Sequence, residues 1–364
     1  FLSPGRYAVP AAALFFVKDR DMVPLAIQLR PNDTSAIYTP VDNTDADWFL
    51  AKMFFNQIDI IAQSGYHFAE THVVMEPIGI SARRNLASNH PVRGVIDKLF
   101  QNSNAIPIFG DETLFNTGGV FDRGASLQAR GLTTFVLETA LPEYHFAKST
   151  FEGDLKNRGV DKLKYYPYSQ DGREVKKLID QLIDEYLDLY YEKDDILDDV
   201  EIQEFARELA EQLPGKGFPG AFDDLKELKA FLGEVMFIVT ARHAAMNIRT
   251  VWQYGQYPFV PLTLVQPAPS TYPSFQSLDQ LLPFLPNLTD TAASCFLTAT
   301  FSIPFTRGVL LKEILSFPVL TKRSQCSADK FTSELEKLST EINGRSPGSY
   351  KILDPESLPC NSFI

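Results

Sequence analysis

The 364-residue chain contains only three cysteines, and they are far apart: Cys295, Cys326 and Cys360. This number and spacing exclude a disulfide scaffold and a cysteine-rich zinc site. The chain also lacks any stretch of about 20 uninterrupted apolar residues. The most apolar candidate, residues 235–239, is bounded by Glu234 and Arg242. The sequence therefore predicts no membrane-spanning helix.

Positive charge is in deficit, with 34 Lys and Arg against 46 Asp and Glu, which gives a net charge of −12. A chain with this charge repels a phosphate backbone, so we expect no nucleic-acid partner. The apolar content of 45% is high enough to bury a large core and excludes disorder. No repeat, polar linker or targeting segment interrupts the chain, and we expect one domain over residues 1–364 in the cytoplasm.

The common catalytic and nucleotide-binding motifs are also missing, because no G-x-S-x-G, Walker A or H-E-x-x-H pattern occurs. Gly215, Gly217 and Gly220 match the dinucleotide-binding G-x-G-x-x-G pattern, but Pro219 interrupts it and an acidic helix precedes it. A dinucleotide site is therefore not expected there. The acidic residues 192–204 lack EF-hand spacing, and they are predicted to be a solvated loop followed by a helix start.

Apolar spacing predicts a mainly α-helical fold. Three- and four-residue spacing indicates one long helix from Trp48 towards Pro77, a second over residues 172–191 and a third over residues 222–247. The third helix is nearly all apolar in its C-terminal half, which indicates that this half lies deep in the core.

The remaining segments have shorter patterns. Residues 7–30 alternate apolar runs with turn residues, which predicts a two-stranded β ribbon. Residues 258–304 contain much of the proline and are expected to form irregular connections and short helices. Residues 331–343 are predicted to form a surface helix.

Three of the five histidines lie in the two most apolar helices: His67, His72 and His243. A buried histidine is either a hydrogen-bonded core residue or a ligand. His243 and Asn247 are four residues apart, about 40° around an α-helix, so both can bind one ion. His67 and His72 are five apart, about 140° around an α-helix, which prevents a shared ion unless a π turn brings them onto one face. A π turn within residues 63–73 is therefore predicted.

Three imidazoles and one amide oxygen form a mixed nitrogen and oxygen donor set. Such a set suits iron, manganese or another first-row ion better than a thiolate-seeking metal. The sequence ends in PCNSFI. A free carboxylate on Ile364 would supply an anionic oxygen, although an apolar last residue is more often a docked or frayed tail.

These residues match a known pattern. The segment SGYHFAETHVVMEPIGISARRNLASNHPV resembles the metal-binding helix of the lipoxygenase family, with its H-x4-H pair, TH-x3-E continuation and downstream HP. HAAMN resembles that family's second ligand helix, and the C-terminal isoleucine resembles its carboxylate ligand. WFLAK, GGVFD, DLKNRGV, YYPYSQDG, YYEKDD, IQEF, GFPG and YKILDPESLP agree in order and spacing. The resemblance covers nearly the whole chain.

The resemblance implies a lipoxygenase-type helical catalytic domain around two long metal-binding helices. It implies one iron per chain, with manganese as the alternative, and the following ligands: His67, His72, His243, Asn247 and the carboxylate of Ile364. Compared with the family pattern, the N-terminal β-barrel domain and the first part of the catalytic domain are absent from this sequence.

The resemblance also assigns residues around the metal. Gln63 matches the family's glutamine that links the metal shell to the substrate cavity. Gly110 falls where lipoxygenases carry alanine or glycine, and glycine there accompanies R-configured products; a simple turn residue is the alternative. Leu114 matches the leucine beside the reacting pentadiene and the oxygen path, or is ordinary core. Extra residues after Asn247 leave two candidates for the second polar partner: Gln253 and Gln256.

The reaction implied by the resemblance is addition of O2 to the cis,cis-1,4-pentadiene of a polyunsaturated fatty acid of the linoleate type, giving a hydroperoxide. A metal-bound hydroxide takes the hydrogen, so no side-chain base is required. The apolar residues 53–61 and 235–241 then serve as walls around the acyl chain as well as core.

Other interpretations stay open. The alternative is an inactive helical module that binds lipid or a partner and retains the ligand residues. For an active enzyme we expect a monomer, with peripheral membrane contact as an option. Arg83, Arg84 and Arg249 are candidates to pair with the substrate carboxylate, or are surface charges.

Overall fold

The computed structural model describes residues 1–19, 21–101, 103, 110, 112, 114–192, 195–247, 254–270, 274–301, 309–316, 321–346 and 349–361. These residues are mainly α-helical and include one small antiparallel sheet near the N-terminus. The predicted fold class, helices with a small β element at the N-terminus, is confirmed.

The bounds of the strands and helices are as follows. The strands are β1 (Ala12–Lys18), β2 (Asp21–Gln28) and β3 (Ile37–Tyr38). The α-helices are α1 (Asp45–His67), α2 (Glu76–Asn85), α3 (Pro91–Leu99), α4 (Val120–Gly124), α5 (Ala129–Phe135), α6 (Leu141–Glu143), α7 (Phe146–Ser149), α8 (Phe151–Asn157), α9 (Pro167–Leu187), α10 (Asp195–Asp198), α11 (Val200–Gln212), α12 (Leu225–Phe237), α13 (His243–Met246), α14 (Leu288–Phe301) and α15 (Gln325–Asn343).

Wider and tighter helical turns connect several of these helices. Three are π-helical: Phe68–Val73, Val136–Ala140 and Ile238–Arg242. Four are 3-10 turns: Thr34–Ala36, Leu278–Phe284, Leu311–Glu313 and Pro355–Ser357.

The chain divides into two compact units, the first formed by residues 1–66, 107–140 and 247–304. In this unit the strand order is β1, β2, β3, and β1 pairs with β2 in antiparallel register from Ala12 opposite Gln28 to Lys18 opposite Asp21. The predicted ribbon is therefore present, with a third short strand added. A core cluster below the sheet combines strand residues such as Ile27 with Leu50 and Phe54 of α1.

Helix α1 is fixed in the first unit by a buried glutamine. Gln57 is fully buried, and its Nε2 donates to the carbonyl oxygen of Tyr7 at 2.9 Å and to the Ser126 hydroxyl at 2.8 Å. A second cluster packs Ile60 of α1 against Phe121 and Leu297. One helix thus contributes to both cores of this unit.

The second unit is formed by residues 67–106, 141–246 and 305–364. Here α9 packs against α12 and α15, and α11 packs against α2. The stripe predicted for the second helix is observed, with Val175, Ile179, Leu182 and Ile183 of α9 at most 2% exposed. The helix begins at Pro167 rather than at residue 172, because proline is favoured in the first turn of a helix. The division into units does not test the one-domain prediction, which stays a prediction.

The helix predicted from Trp48 begins at Asp45, and its helical path ends at Val73 after the π turn. Pro77 then lies in the first turn of α2. In the proline-rich residues 258–304 the expectation of short helices was wrong for α14, which has 14 residues. Its small residues allow a close approach, since a Cβ added to Gly124 would lie 2.9 Å from the Ala293 carbonyl oxygen.

The surface helix predicted over residues 331–343 begins earlier, at Gln325. Gly215 and Gly217 have φ of +73° and +77°, a left-handed backbone conformation that glycine adopts without strain. Among the described residues, no helix is both long and apolar enough to span a membrane.

Candidate metal centre

Three histidine side chains converge in the second unit. The ring centroids of His67, His72 and His243 are 4.8, 5.0 and 5.1 Å apart in pairs, and one nitrogen from each ring lies within 4.8 Å of the others. His67 and His243 are 5% and 1% exposed, and His72 is partly buried. The structure thus brings together the three histidines that the sequence singled out.

A π turn is what allows His67 and His72 to meet. Helix α1 ends at His67, and residues Phe68–Val73 form a π turn in which the Val74 amide donates to the Ala69 carbonyl oxygen, five residues back. The Nε2 atoms of His67 and His72 lie 3.1 Å apart as a result. The predicted π turn is confirmed. A second π turn, Ile238–Arg242, directly precedes His243, and the sequence analysis did not anticipate it.

Each of these two π turns contains a buried threonine bonded to its own helix. The Thr71 hydroxyl donates to the His67 carbonyl oxygen at 2.6 Å, and the Thr240 hydroxyl donates to the Met236 carbonyl oxygen at 2.6 Å. Both threonines are 0% exposed. A hydroxyl that binds the carbonyl four residues back suits a turn whose amides bind five residues back. The threonines therefore help to hold the widened turns.

Burial determines the protonation of the histidines. Burial lowers the pKa of His67 well below its usual value, and the neighbouring His72, His243 and Arg242 lower it further. Burial also lowers the pKa of His72, with His243 adding to the effect. Both rings are therefore neutral near pH 7, which leaves a nitrogen lone pair available on each.

The donor set fits a first-row transition ion. Two nitrogens bound at about 2.1 Å in adjacent octahedral positions lie about 3 Å apart, close to the 3.1 Å between the Nε2 atoms of His67 and His72. The three nearly equal ring separations fit three donors arranged around one ion. Imidazole donors suit iron, nickel, zinc or copper, oxygen donors suit manganese, and other ligands are needed to complete six positions.

Three further residues are predicted at or beside the metal. Asn247 follows α13 and is 1% exposed, and it belongs to the first unit. Ile364 lies outside the described residues. Gln63 lies in the last turns of α1 and is partly buried. Their roles stay predictions.

The predicted pocket residues Gly110 and Leu114 lie together in the first unit. Gly110 is buried, and its carbonyl oxygen accepts from the amides of Leu114 at 2.9 Å and Phe115 at 2.8 Å. A Cβ added at Gly110 would meet the Phe115 ring at 3.4 Å, an ordinary contact. Leu114 packs against the cluster that contains Ile60 and Phe121. The described residues around position 110 therefore leave space for alanine.

An apolar cavity in the first unit runs beside α1. Its lining is Ile60, Ile61, Ser64, Phe121, Ala125, Leu262, Leu297 and Thr298. Ile60 and Ile61 belong to the segment predicted to wall an acyl chain, whereas Met53 and Phe54 of that segment lie in the core below the sheet. Residues 235–241 are buried throughout. Part of the segment 53–61 therefore lines the cavity, and another part lies in the core.

The arginines considered for the substrate carboxylate have partners in the chain itself. Arg83 binds Asp97 at 3.2 Å, and Arg84 binds Glu208 at 2.6 Å. Arg249 and Gln253 lie outside the described residues, and Gln256 is exposed.

Two polar clusters near the predicted motifs were missed by the sequence analysis. Glu70, between the first two histidines, forms an ion pair with Arg242, which precedes the third. In the second cluster, Asp199 Oδ2 lies 3.1 Å from His90 Nε2 and accepts from the Tyr191 hydroxyl at 2.7 Å. Asp199 also caps α11, so the acidic stretch is a helix start as predicted but is not wholly solvated. Pairs this distant in sequence leave no periodic signal.

Known proteins resemble this chain along most of its length. The family model described as Lipoxygenase matches residues 5–316. The manganese lipoxygenase of Colletotrichum gloeosporioides is 31% identical over 314 residues, which cover 82% of this chain and 50% of that protein. The chain thus spans about half the length of this relative.

Solved structures agree with this finding. A calcium-dependent 11R-lipoxygenase is 28% identical and superposes with a TM-score of 0.91, covering 99% of this chain and 55% of that one. A lipoxygenase deletion variant crystallised anaerobically with arachidonate is 27% identical with a TM-score of 0.90, again over 99% of this chain and 55% of the other. The predicted architecture is confirmed by both superpositions.

Proposed function

The chain belongs to the lipoxygenase family, and we propose that it adds O2 to the cis,cis-1,4-pentadiene of a polyunsaturated fatty acid. One hydrogen leaves the doubly allylic methylene, O2 adds to the pentadienyl radical, and return of one hydrogen gives a hydroperoxide. Substrate plus O2 therefore equals product. The observation that carries the proposal is the convergence of His67, His72 and His243.

The three histidines would hold the metal, and the family resemblance adds Asn247 and the carboxylate of Ile364 as the remaining protein ligands. When bound, the metal supplies one-electron redox chemistry and a bound base for the transferred proton. The neutral imidazoles donate lone pairs without adding positive charge of their own. Because the bound metal would supply the base, a member of this family needs no pair of catalytic carboxylates.

The apolar cavity beside α1 supports the substrate class. Its lining is mostly hydrocarbon, which is the kind of surface that an acyl chain contacts, and its enclosed space of about 10 Å³ would have to widen to admit one. Leu114 packs on the same cluster, and Gln63 lies further along the helix that supplies Ile60 and Ile61. We assign Leu114 to the substrate and oxygen pocket and Gln63 to the link with the metal shell. A structural relative was solved with arachidonate, a fatty acid of the proposed class.

Iron is the proposed metal, with manganese as the second candidate. The donor set accepts either ion because both take octahedral nitrogen and oxygen ligands. Manganese is favoured by one specific observation, the 31% identity to a manganese lipoxygenase. We also propose R-configured products, since position 110 is glycine and a structural relative is described as an 11R-lipoxygenase.

The test combines metal analysis with oxygenation. The purified chain is loaded with Fe²⁺ or Mn²⁺, its metal content is measured, and the conjugated-diene absorbance is followed after addition of linoleate or arachidonate. We expect about one ion per chain and a rise in diene absorbance. His72→Ala should lose both, whereas His145→Ala, a partly buried histidine outside the cluster, should keep both.

The predicted role of the Ile364 carboxylate as a metal ligand is tested separately. Appending one glycine after Ile364 moves the carboxylate away, so metal content should fall. Bound metal without diene formation by any substrate would contradict oxygenation by this chain. Absence of bound metal would favour the inactive lipid-binding or partner-binding module.

A further inference from the structure

One buried ion pair joins the two segments that carry the histidine cluster. Glu70 lies within the first π turn, three residues after His67 and two before His72, and Arg242 directly precedes His243. The two side chains are 15% and 9% exposed and form an ion pair. They are separated by 172 residues in the sequence. The pair therefore connects two chain segments that share no hydrogen bonds of secondary structure.

Arg242 is fixed from a second side. Its Nη1 donates to the Ser149 carbonyl oxygen at 3.0 Å, and its Nη2 lies 3.8 Å from Asp154 Oδ1. Asp154 is itself bound by Arg158 at 2.6 Å. A guanidinium held by a carboxylate and a carbonyl in different elements has little freedom to rotate. The fixed guanidinium of Arg242 therefore restrains the backbone next to His243.

A buried ion pair adds little net stability to a protein, because both charges lose their hydration. Removal of two charges from water costs several kcal/mol per ion, and apolar residues of similar volume often stabilise a core as well. Hydrophobic contacts are non-directional, whereas an ion pair fixes the separation and orientation of its two groups. A metal site needs that kind of geometric definition, because its donors must lie within a few tenths of an ångström of their positions.

We propose that the Glu70–Arg242 ion pair is a positioning device for the metal ligands. It holds the π turn that carries His67 and His72 at a fixed distance from the π turn that ends at His243. Neither residue is one of the predicted metal ligands. The inference rests on the proposed function, because it requires that the three histidines bind a metal.

The experiment compares Glu70→Gln with a matched control, Glu234→Gln. Glu234 also forms an ion pair in the second unit, with Lys176 at 3.2 Å, and the two side chains are 18% and 12% exposed. Glu234 precedes His243 by nine residues and is absent from the histidine cluster. Both variants remove one charge from a similarly buried pair, so both should lose similar thermal stability.

The readout is Mn²⁺ binding to the full chain, measured by the electron paramagnetic resonance of free and bound ion. We expect Glu70→Gln to weaken Mn²⁺ binding about tenfold or more and to broaden the bound-ion spectrum, since supporting residues contribute about 10–100-fold to metal affinity. Glu234→Gln should keep the affinity and spectrum of the unchanged chain. Glu70→Asp, which retains the charge, should recover part of the affinity.

Each outcome separates the inference from the function on which it rests. If the unchanged chain binds one Mn²⁺ and Glu70→Gln weakens binding no more than Glu234→Gln, the positioning role is wrong and the metal site stands. If the unchanged chain binds neither Mn²⁺ nor Fe²⁺, both are wrong. If Glu70→Gln fails to fold, Arg242→Lys, which keeps the charge but loses the planar fork, must show the same selective loss of affinity, and equal affinity would overturn the proposal.

Discussion

At the scale of single residues, the candidate metal site depends on a widened helical turn and on the burial of two histidine side chains. His67 and His72 are useful as a pair only because a π turn lies between them, and burial keeps both rings neutral. Residue type and spacing were therefore enough to predict the pair and its turn. The fixing of these residues by Thr71 and by the Glu70–Arg242 pair depends on contacts that a sequence does not display.

Gly110→Ala tests the stereochemical prediction. Among the described residues, the added Cβ meets the Phe115 ring at 3.4 Å, an ordinary contact, so we expect the fold to be unaffected. If position 110 controls where O2 attacks, the product should shift from mainly R to mainly S configuration, as measured by chiral-phase chromatography of the hydroperoxides. The proposed role of Gly110 is wrong if the configuration stays unchanged.

Gly220→Ala is the matched control for that substitution. A Cβ there would lie 3.7 Å from the Ala210 Cβ, so it adds the same methyl group in ordinary contact. It should leave both the product configuration and the rate as they are in the unchanged chain. A shift in configuration in both variants would point to a general loosening of the fold.

The lowered pKa of Asp199 predicts a pH-dependent contribution to stability. Burial alone would raise its pKa, but hydrogen bonds from His90, Tyr191 and the Ile202 amide outweigh burial and lower the pKa from 3.8 to about 2. The stabilisation this gives is present above about pH 4 and is lost as the pH falls to about 2. The difference amounts to about 2 kcal/mol. We expect Asp199→Asn to lower the free energy of unfolding at pH 6 by about that amount.

The measurement is urea denaturation of the metal-free chain at pH 6 and pH 2.5. The gap between the unchanged chain and Asp199→Asn should shrink at the lower pH, because pH 2.5 lies below the unfolded-state pKa of 3.8 and close to the folded-state pKa of about 2. Asp198→Asn, at an exposed neighbour, should show no such gap. A gap of equal size at both pH values would contradict the assignment.

At the scale of elements, the sequence predicted those with a strong apolar stripe. Helix α9 and the buried end of the α12 segment followed from periodicity alone. Helix α14 did not, because its alanines and its serine produce no stripe and it packs instead by close approach to Gly124. The second π turn was missed because only one histidine lies in that segment, so no spacing required a widened turn.

Thr71→Val tests what holds the first π turn. Valine keeps the shape of the fully buried side chain but removes the hydroxyl bonded to the His67 carbonyl oxygen. Loss of that bond should cost about 1–3 kcal/mol of unfolding free energy and weaken Mn²⁺ binding, because His67 begins the turn. Thermal unfolding and metal titration measure the two effects.

Thr340→Val is the control for the threonine substitution. Its hydroxyl makes the same bond, to the Glu336 carbonyl oxygen four residues back at 2.9 Å, but on the exposed face of α15. Water can replace that bond, so the change should cost less than about 0.5 kcal/mol. Equal costs at positions 71 and 340 would show that the π turn does not depend on its threonine.

The C-terminal run is fixed by polar contacts to the rest of the second unit. Arg345 binds buried Asp171 through both guanidinium nitrogens, at 2.6 and 2.7 Å, and the Leu311 amide donates to the Leu358 carbonyl oxygen at 2.8 Å. Asp171 belongs to the YYPYSQDG motif, and Leu358 belongs to YKILDPESLP. Two motifs first noted only for their resemblance thus hold the segment that leads towards Ile364.

At the scale of the whole molecule, metal binding should appear as added stability. An ion that binds only the folded chain raises the unfolding free energy by about 2.7 kcal/mol at 100 times its Kd. With an unfolding entropy of about 2.1 cal/mol/K per residue, a chain of 364 residues that unfolds as one domain should gain about 3–4 °C in Tm. Differential scanning calorimetry with Mn²⁺, and after its removal by chelation, measures the gain.

The same calorimetric measurement tests the one-domain prediction, which the sequence alone does not decide. A single transition that moves as a whole is expected if residues 1–364 unfold cooperatively. If a separate transition carries the metal effect, its shift should exceed 4 °C, because the same free energy is divided by the entropy of fewer residues. That result would contradict one domain while supporting the histidine site. His72→Ala should abolish the shift in either case, and His145→Ala should retain it.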